Sequence, residues 1–227
     1  MEIVLEKLGL IKEKAVKYAT LVESMIDDSI EGLTAKNMDL LRRVIKEKEP
    51  LANIFEIELD EMSIRYLALL RPEAKDLRSI VMVAKMSNDF ERIGDHAVNI
   101  AKSGIFLIDK QFIKPLREIP KMAALVRGMV SEAIDAFVRE DVALAKQILI
   151  EDDQVDEFRD VLMNEIMQIM KSSPESIERA MHLMSIIRNL ERIGDLATNM
   201  SEDVIYIIDG KVVKHHTGDD EDIPSIL

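Results

Sequence analysis

Glu91, Asp95 and Asn99 stand four residues apart in the run ERIGDHAVN, and Glu191, Asp195 and Asn199 repeat that spacing in ERIGDLATN. On a helix each member of such a row is offset from the last by about 40°, so all three share one face. Carboxylates at i and i+4 repel each other by a few tenths of a kcal/mol. Seven of the nine letters agree between the two runs, so the repulsion is incurred twice in their most closely matched segment. A hard cation would offset it, because converging carboxylate and amide oxygens are the ligands such ions take. The plainer account is that Arg92 and Arg192, next to each row, neutralise a solvated face.

Asp152 and Asp156 form another i,i+4 pair, and at the matching place the earlier part of the chain has Glu49 and Asn53. A neutral amide in place of one carboxylate leaves that earlier site with less charge to hold a cation. Glu23 and Asp27 pair in the same way, but Arg127 and Ser131 stand at their counterparts. Other chemistry is poorly supplied. With no Cys, thiolate zinc sites, iron–sulfur clusters, disulfides and cysteine nucleophiles are excluded. No P-loop pattern and no Ser or Thr set beside a base is evident. Di-iron carboxylate bundles need Glu-x-x-His pairs, and no His here stands three residues after a Glu. His96 has Leu196 as its counterpart, and His215 and His216 read as solvated. The 14 Met residues fall mostly on apolar stripes and read as packing.

The elements that must carry these residues are helices. Apolar residues recur at three–four spacing, most clearly Val83, Met86, Phe90, Ile93, Ala97, Ile100, Gly104 and Leu107. The pattern predicts six helices, roughly 3–35, 38–70, 74–109, 118–139, 141–171 and 174–209, with Pro72 and Pro174 just inside helix starts. They are two copies of three. LVESMIDDSI from Leu21 aligns with LVRGMVSEAI from Leu125, Phe55 and Leu59 with Phe158 and Leu162, and Glu91 with Glu191. The fold class is therefore all-α: two tandem pseudo-symmetric three-helix bundles over 1–112 and 113–214, or one six-helix unit with a pseudo-twofold axis. Residues 215–227, polar and acidic, are expected to be a mobile tail. Gly94 and Gly194 fall mid-helix, where close helix approach explains them. The core stripe centres about 150° around the helix from the Glu91 row, so a cation would sit outside a bundle or against a neighbouring helix.

With 43 acidic against 30 basic residues the net charge is −13, which argues against sequence-independent nucleic-acid binding. No charge-free apolar run approaches the roughly 18 residues of a membrane span. The start, MEIVLEKLG, lacks the pattern of a signal peptide, so a cytoplasmic setting is expected.

RPEAKDLRSI from Arg71, NDFERIGDHAVNIAK from Asn88 and NLERIGDLATNMSEDVIYIIDGKVVKHH from Asn189, set in a twofold repeat, resemble the PhoU family. The resemblance reaches to about residue 216 and implies two three-helix bundles, generally cytoplasmic and often homodimeric. It implies a non-catalytic regulator that restrains phosphate uptake and the phosphate-starvation response. Its partners would be the phosphate ABC transporter and a phosphate-sensing histidine kinase, with the membrane reached only through them. It further implies surface iron or zinc clusters on E(D)xxxD motifs, carried here by Glu91 with Asp95, Glu191 with Asp195, and Asp152 with Asp156. Glu49 with Asn53 departs from that pattern, and the acidic extension after His216 is not expected of the family. Two other classes compete: a carboxylate-bundle metal enzyme or iron-storage protein, and a metal-free helical adaptor.

Overall fold

The computed structural model describes residues 2–72 and 74–209, so the expected tail over 215–227, with His215 and His216, lies outside the described residues. The helices are α1 (Glu2–Thr34), α2 (Met38–Arg43), α3 (Glu49–Leu70), α4 (Ala74–Ile108), α5 (Glu118–Arg139), α6 (Val142–Ser172) and α7 (Ile177–Asp209). A single π-helical turn, Val44–Lys48, joins α2 to α3 without a break, which leaves the six rods the periodicity predicts. The π turn was not anticipated. Pro50 lacks an N–H, and its ring crowds the carbonyl four residues back. The wider turn, in which Glu49 N–H reaches Val44 O, takes up that misfit within a continuous rod.

The first hairpin of each copy is closed by the same device. Lys36 and Glu140 adopt left-handed backbone (φ 54° and 58°) at the end of α1 and of α5. The next N–H closes a wide turn in each, Asn37 to Gly32 O at 2.8 Å and Asp141 to Ala136 O at 2.9 Å. Asn37 and Asp141 then act as N-caps. The side chain of Asn37 accepts from Asp39 and Leu40 N–H, and that of Asp141 from Ala143 and Leu144 N–H.

α1, α3 and α4 pack as one three-helix set and α5, α6 and α7 as the other, and the two sets are joined through α4 against α7 and α1 against α5. α4 and α7 run antiparallel. Arg78 Nε donates to Ile207 O at 3.1 Å, Lys85 Nζ lies 2.5 Å from Asp203 Oδ1, and Phe106 stacks on His182. The two ERIGD segments lie between these contacts, back to back. Ile93, Ala97 and Ile100 are fully buried there, as are Ile193, Ala197 and Met200. Beside α1, Arg127 of α5 reaches Glu23 and Asp27, each at 3.4 Å. The carboxylate pair on α1 is thus neutralised by the very residue that replaces Glu23 in the repeat. One buried apolar cluster runs through both sets. Among the described residues no helix is long and apolar enough to cross a membrane.

Candidate metal centre

The carboxylate rows face outward from the core, in the direction the periodicity predicts. Glu91 and Glu191 are half-buried, Asp95, Asn99 and Asn199 are exposed, and Asp195 is intermediate. Each row runs along the seam with the second rod of its own copy, α3 for Glu91 and α6 for Glu191.

In the later copy the structure brings Asp152, Asp156, Glu191 and Asp195 to one seam. Asp152 is pushed up to about 6, first by burial and then by the charges of Asp195, Asp156, Asp153 and Glu191. Its carboxylate lies against the bare backbone of Gly194, where an added Cβ would come within 3.3 Å of Oδ1 and 3.4 Å of Val155 Cγ1. Gly194 therefore makes room for a carboxylate as well as for helix approach. Two guanidinium groups thread the seam. Arg159 Nη1 sits 2.5 Å from Asp156 Oδ1 and 3.1 Å from Glu191 Oε1. Arg192 Nη1 donates to Asp195 Oδ2 at 3.1 Å. Among the described residues no three His, Asp or Glu side chains stand in a metal-holding arrangement. A cation entering this seam must displace an arginine contact.

The earlier copy is built differently. Asn53 Nδ2 donates to Glu49 Oε1 at 3.3 Å, so the amide expected to weaken this site ties up its own neighbour. Arg92 turns away from the row toward Asp89, with Nη1 3.6 Å from Oδ1. Glu56 and Asp60 of α3, not singled out in the sequence, join the seam instead. Burial raises the Glu91 carboxyl, with Asp95, Glu56 and Glu49 adding to it, and Glu56 is raised by burial, Asp60 and Asp95. Tyr18 of α1 lies fully buried beneath, stacked on Phe55 and against Phe90, with its hydroxyl unpartnered. Burial pushes its phenol up strongly, and Glu56, Glu91, Asp95 and Asp60 push it further. Glu56 occupies the repeat position of Arg159. One seam is closed by a cation of its own; the other has a carboxylate in that place.

Gly94, unlike Gly194, faces Met25 and Ala52 at ordinary contact distance, so close approach alone accounts for it. His96 Nδ1 lies 2.8 Å from Asn189 Oδ1 across the α4–α7 contact, a structural role.

Two PhoU domain matches, over residues 16–104 and 119–204, fall on the two three-helix sets. The chain belongs to the PhoU family. Relatives within it include a phosphate-specific transport system accessory protein PhoU homolog of Aquifex aeolicus, 38% identical over 90% of this chain and 92% of that protein. PhoU homolog 1 of Thermotoga maritima is 35% identical over 92% of this chain and 90% of its own length. Among solved PhoU structures, the crystal structure from Pseudomonas aeruginosa superposes with a TM-score of 0.87 at 33% identity, covering 91% of this chain and 99% of that one. The phosphate transport system regulatory protein from Streptococcus pneumoniae gives 0.87 at 26% identity, covering 93% and 100%. The PhoU repeat is thus present in both halves, with unlike charges on its two seams.

Proposed function

We propose that the chain is a cytoplasmic regulator of phosphate uptake and of the phosphate-starvation response, acting by docking onto the phosphate ABC transporter and a sensor histidine kinase. The observation that carries this is the near full-length match to proteins named as accessory to the phosphate-specific transport system. A helical body that presents charged seams, with no nucleophile–base arrangement evident among the described residues, suits docking better than turnover. Deleting the gene should raise a phosphate-responsive reporter in phosphate-rich medium, and the native chain should restore repression. Unchanged reporter output and phosphate uptake would overturn the assignment.

The carboxylate seams add a metal-binding proposal. Where bound, iron, zinc or another divalent ion would shape and recharge a docking face, held by Glu91, Asp95 and Glu49 in one copy and Asp152, Asp156, Glu191 and Asp195 in the other. The crowding of carboxylates around Asp152 supports it: burial raises this group first, and the part added by its neighbours' charge is what a cation would relieve. Asn99 and Asn199 extend the rows as amide ligands, and Glu56 and Asp60 enlarge the first. Elemental analysis of metal-replete protein beside the Asp95→Asn, Asp195→Asn double variant reads this directly. Bound metal lost from a folded variant supports the sites; metal-free native protein leaves a plain adaptor. A carboxylate-bundle enzyme or iron store is disfavoured by ligands that line outer seams, whereas such bundles hold them in the core.

A further inference from the structure

Past the carboxylate rows, the α3–α4 seam opens into a groove of about 590 Å³. Its polar wall is Glu56, Asp60 and Asp89, and its apolar floor is Ile64, Leu67 and Val81. Lys85 also lines it but is engaged by Asp203 at 2.5 Å. No described cation pairs with Glu56 or Asp60. Asp89, only 9% exposed, has Arg92 at 3.6 Å. Against that wall, large aliphatic groups face open space: Ile64 is 69% exposed and Val81 41%. At the repeat positions the later copy has Arg159, Met163 and Asn189 for the three acids, and Met167, Met170 and Met181 for the three aliphatics. An acidic wall beside an aliphatic floor belongs to the first copy alone.

We propose that this groove docks a cationic amphipathic helix of a partner protein. Glu56 to Leu67 covers about 16 Å of α3 at the helical rise, enough for about three turns of a second helix. Such a helix lays its apolar face on Ile64, Leu67 and Val81 and extends Lys or Arg to Glu56, Asp60 and Asp89. Charge selects the occupant. Acidic peptides and anionic lipid are repelled by Glu56 and Asp60, with which no described cation pairs, while a basic helix exchanges that repulsion for attraction. The inference goes beyond the transport role and stands whichever protein supplies the helix.

The test uses the full-length chain, stripped of metal with a chelator, and a synthetic Leu/Lys helical peptide of about 14 residues labelled for fluorescence anisotropy. Asp60→Asn and Ile64→Ser, both at exposed positions, should each weaken binding, and together by about tenfold or more. The charge-matched control Glu157→Gln, also at an exposed position, should leave it unchanged. Zero-length carbodiimide coupling should join peptide lysines to Glu56 and Asp60. A peptide in which Glu replaces Lys should not bind. Equal weakening by the control, or coupling mapped elsewhere, overturns the proposal as general attraction to an acidic protein. Coupling of Lys211 or Lys214 to Glu56 or Asp60 within one chain would assign the groove to the protein's own C-terminal segment. A dimer that Ile64→Ser splits, with peptide affinity unchanged, would assign it to a second copy. Either result overturns a partner helix.

Discussion

Glu56 and Arg159 occupy one repeat position and put a carboxylate in one seam and a guanidinium in the other, yet neither is visible in a motif. Periodicity along one helix shows which residues share its face. It does not show which side chain of the next helix lies level with them, because that depends on crossing angle and register between separate rods. The Glu91–Asp95–Asn99 row and its twin were therefore legible, as was Arg192 beside Asp195, while Arg159 reaching across to Glu191 and Glu56 entering the first seam were not. Asp89 is a second such residue, and its environment makes a pH prediction. Burial and the nearby Asp203 push its carboxyl from 3.8 up to about 6, against the pull of Arg92 and Lys85. The folded state therefore binds the proton more tightly than the unfolded chain. Ionisation carries no folding penalty below about pH 4, a rising one between about 4 and 6, and its full one above. Asp89→Asn should raise the thermal midpoint at pH 7 by the equivalent of no more than about 3 kcal/mol. The gain should disappear at pH 4. Melting curves of both proteins from pH 4 to 7 check this, and a gain independent of pH would show that Asp89 is ionised without cost.

At the level of elements, Leu41 explains why α2 docks where it does. It is fully buried, and it wedges between Gly32 of α1 and Gly104 of α4. A Cβ at Gly32 would come within 2.7 Å of Leu41 Cγ and Cδ2 and 3.2 Å of Asn37 O. The leucine has little room to retreat, because its methyls also lie close against Gly104 of α4, where an added Cβ would come within 3.1–3.2 Å of them. Gly32→Ala should thus destabilise by about 1–3 kcal/mol despite the better helix propensity of Ala. Gly94→Ala is the contrasting case. Its new methyl meets the flexible end of Met25 at 3.4 Å, and the propensity gain should dominate, stabilising by about 0.5–1 kcal/mol. Urea unfolding of the two variants checks the opposite signs. These close approaches explain what the sequence could and could not deliver. The long rods are legible because each buries one continuous stripe, and their ends fall within a few residues of the expected ones. The π turn ahead of Pro50 is not, since it resolves a backbone conflict and leaves no mark on the apolar pattern.

For the whole molecule, the repeat left two architectures open: two bundles in tandem, or one unit about a pseudo-twofold axis. Packing favours cooperative behaviour. The buried cluster is continuous from α1 through α4 to α5 and α7, and the ERIGD helices form its centre, each burying one face against the other copy. That centre also accounts for half of the close match between the two segments. Ile93 and Ile193, like Ala97 and Ala197, are fully buried at equivalent positions of the two copies and must satisfy similar packing. It does not account for the outward Glu and Asp, which is why the seams still call for a ligand or partner. Isolating either copy would expose the α1 and α4, or α5 and α7, faces now covered. Neither copy is thus expected to melt by itself. Phe90→Ala, at a fully buried ring of the first copy, should cost about 3–5 kcal/mol. It should move a single calorimetric transition to lower temperature, with the calorimetric and van't Hoff enthalpies still equal. If the first copy were an independent bundle, the same substitution would split the trace, shifting one transition and leaving the other in place. A single shifted transition means that a disturbance at one seam is felt through the shared core at the other, and that a partner helix bound at α3 and α4 stabilises the whole chain.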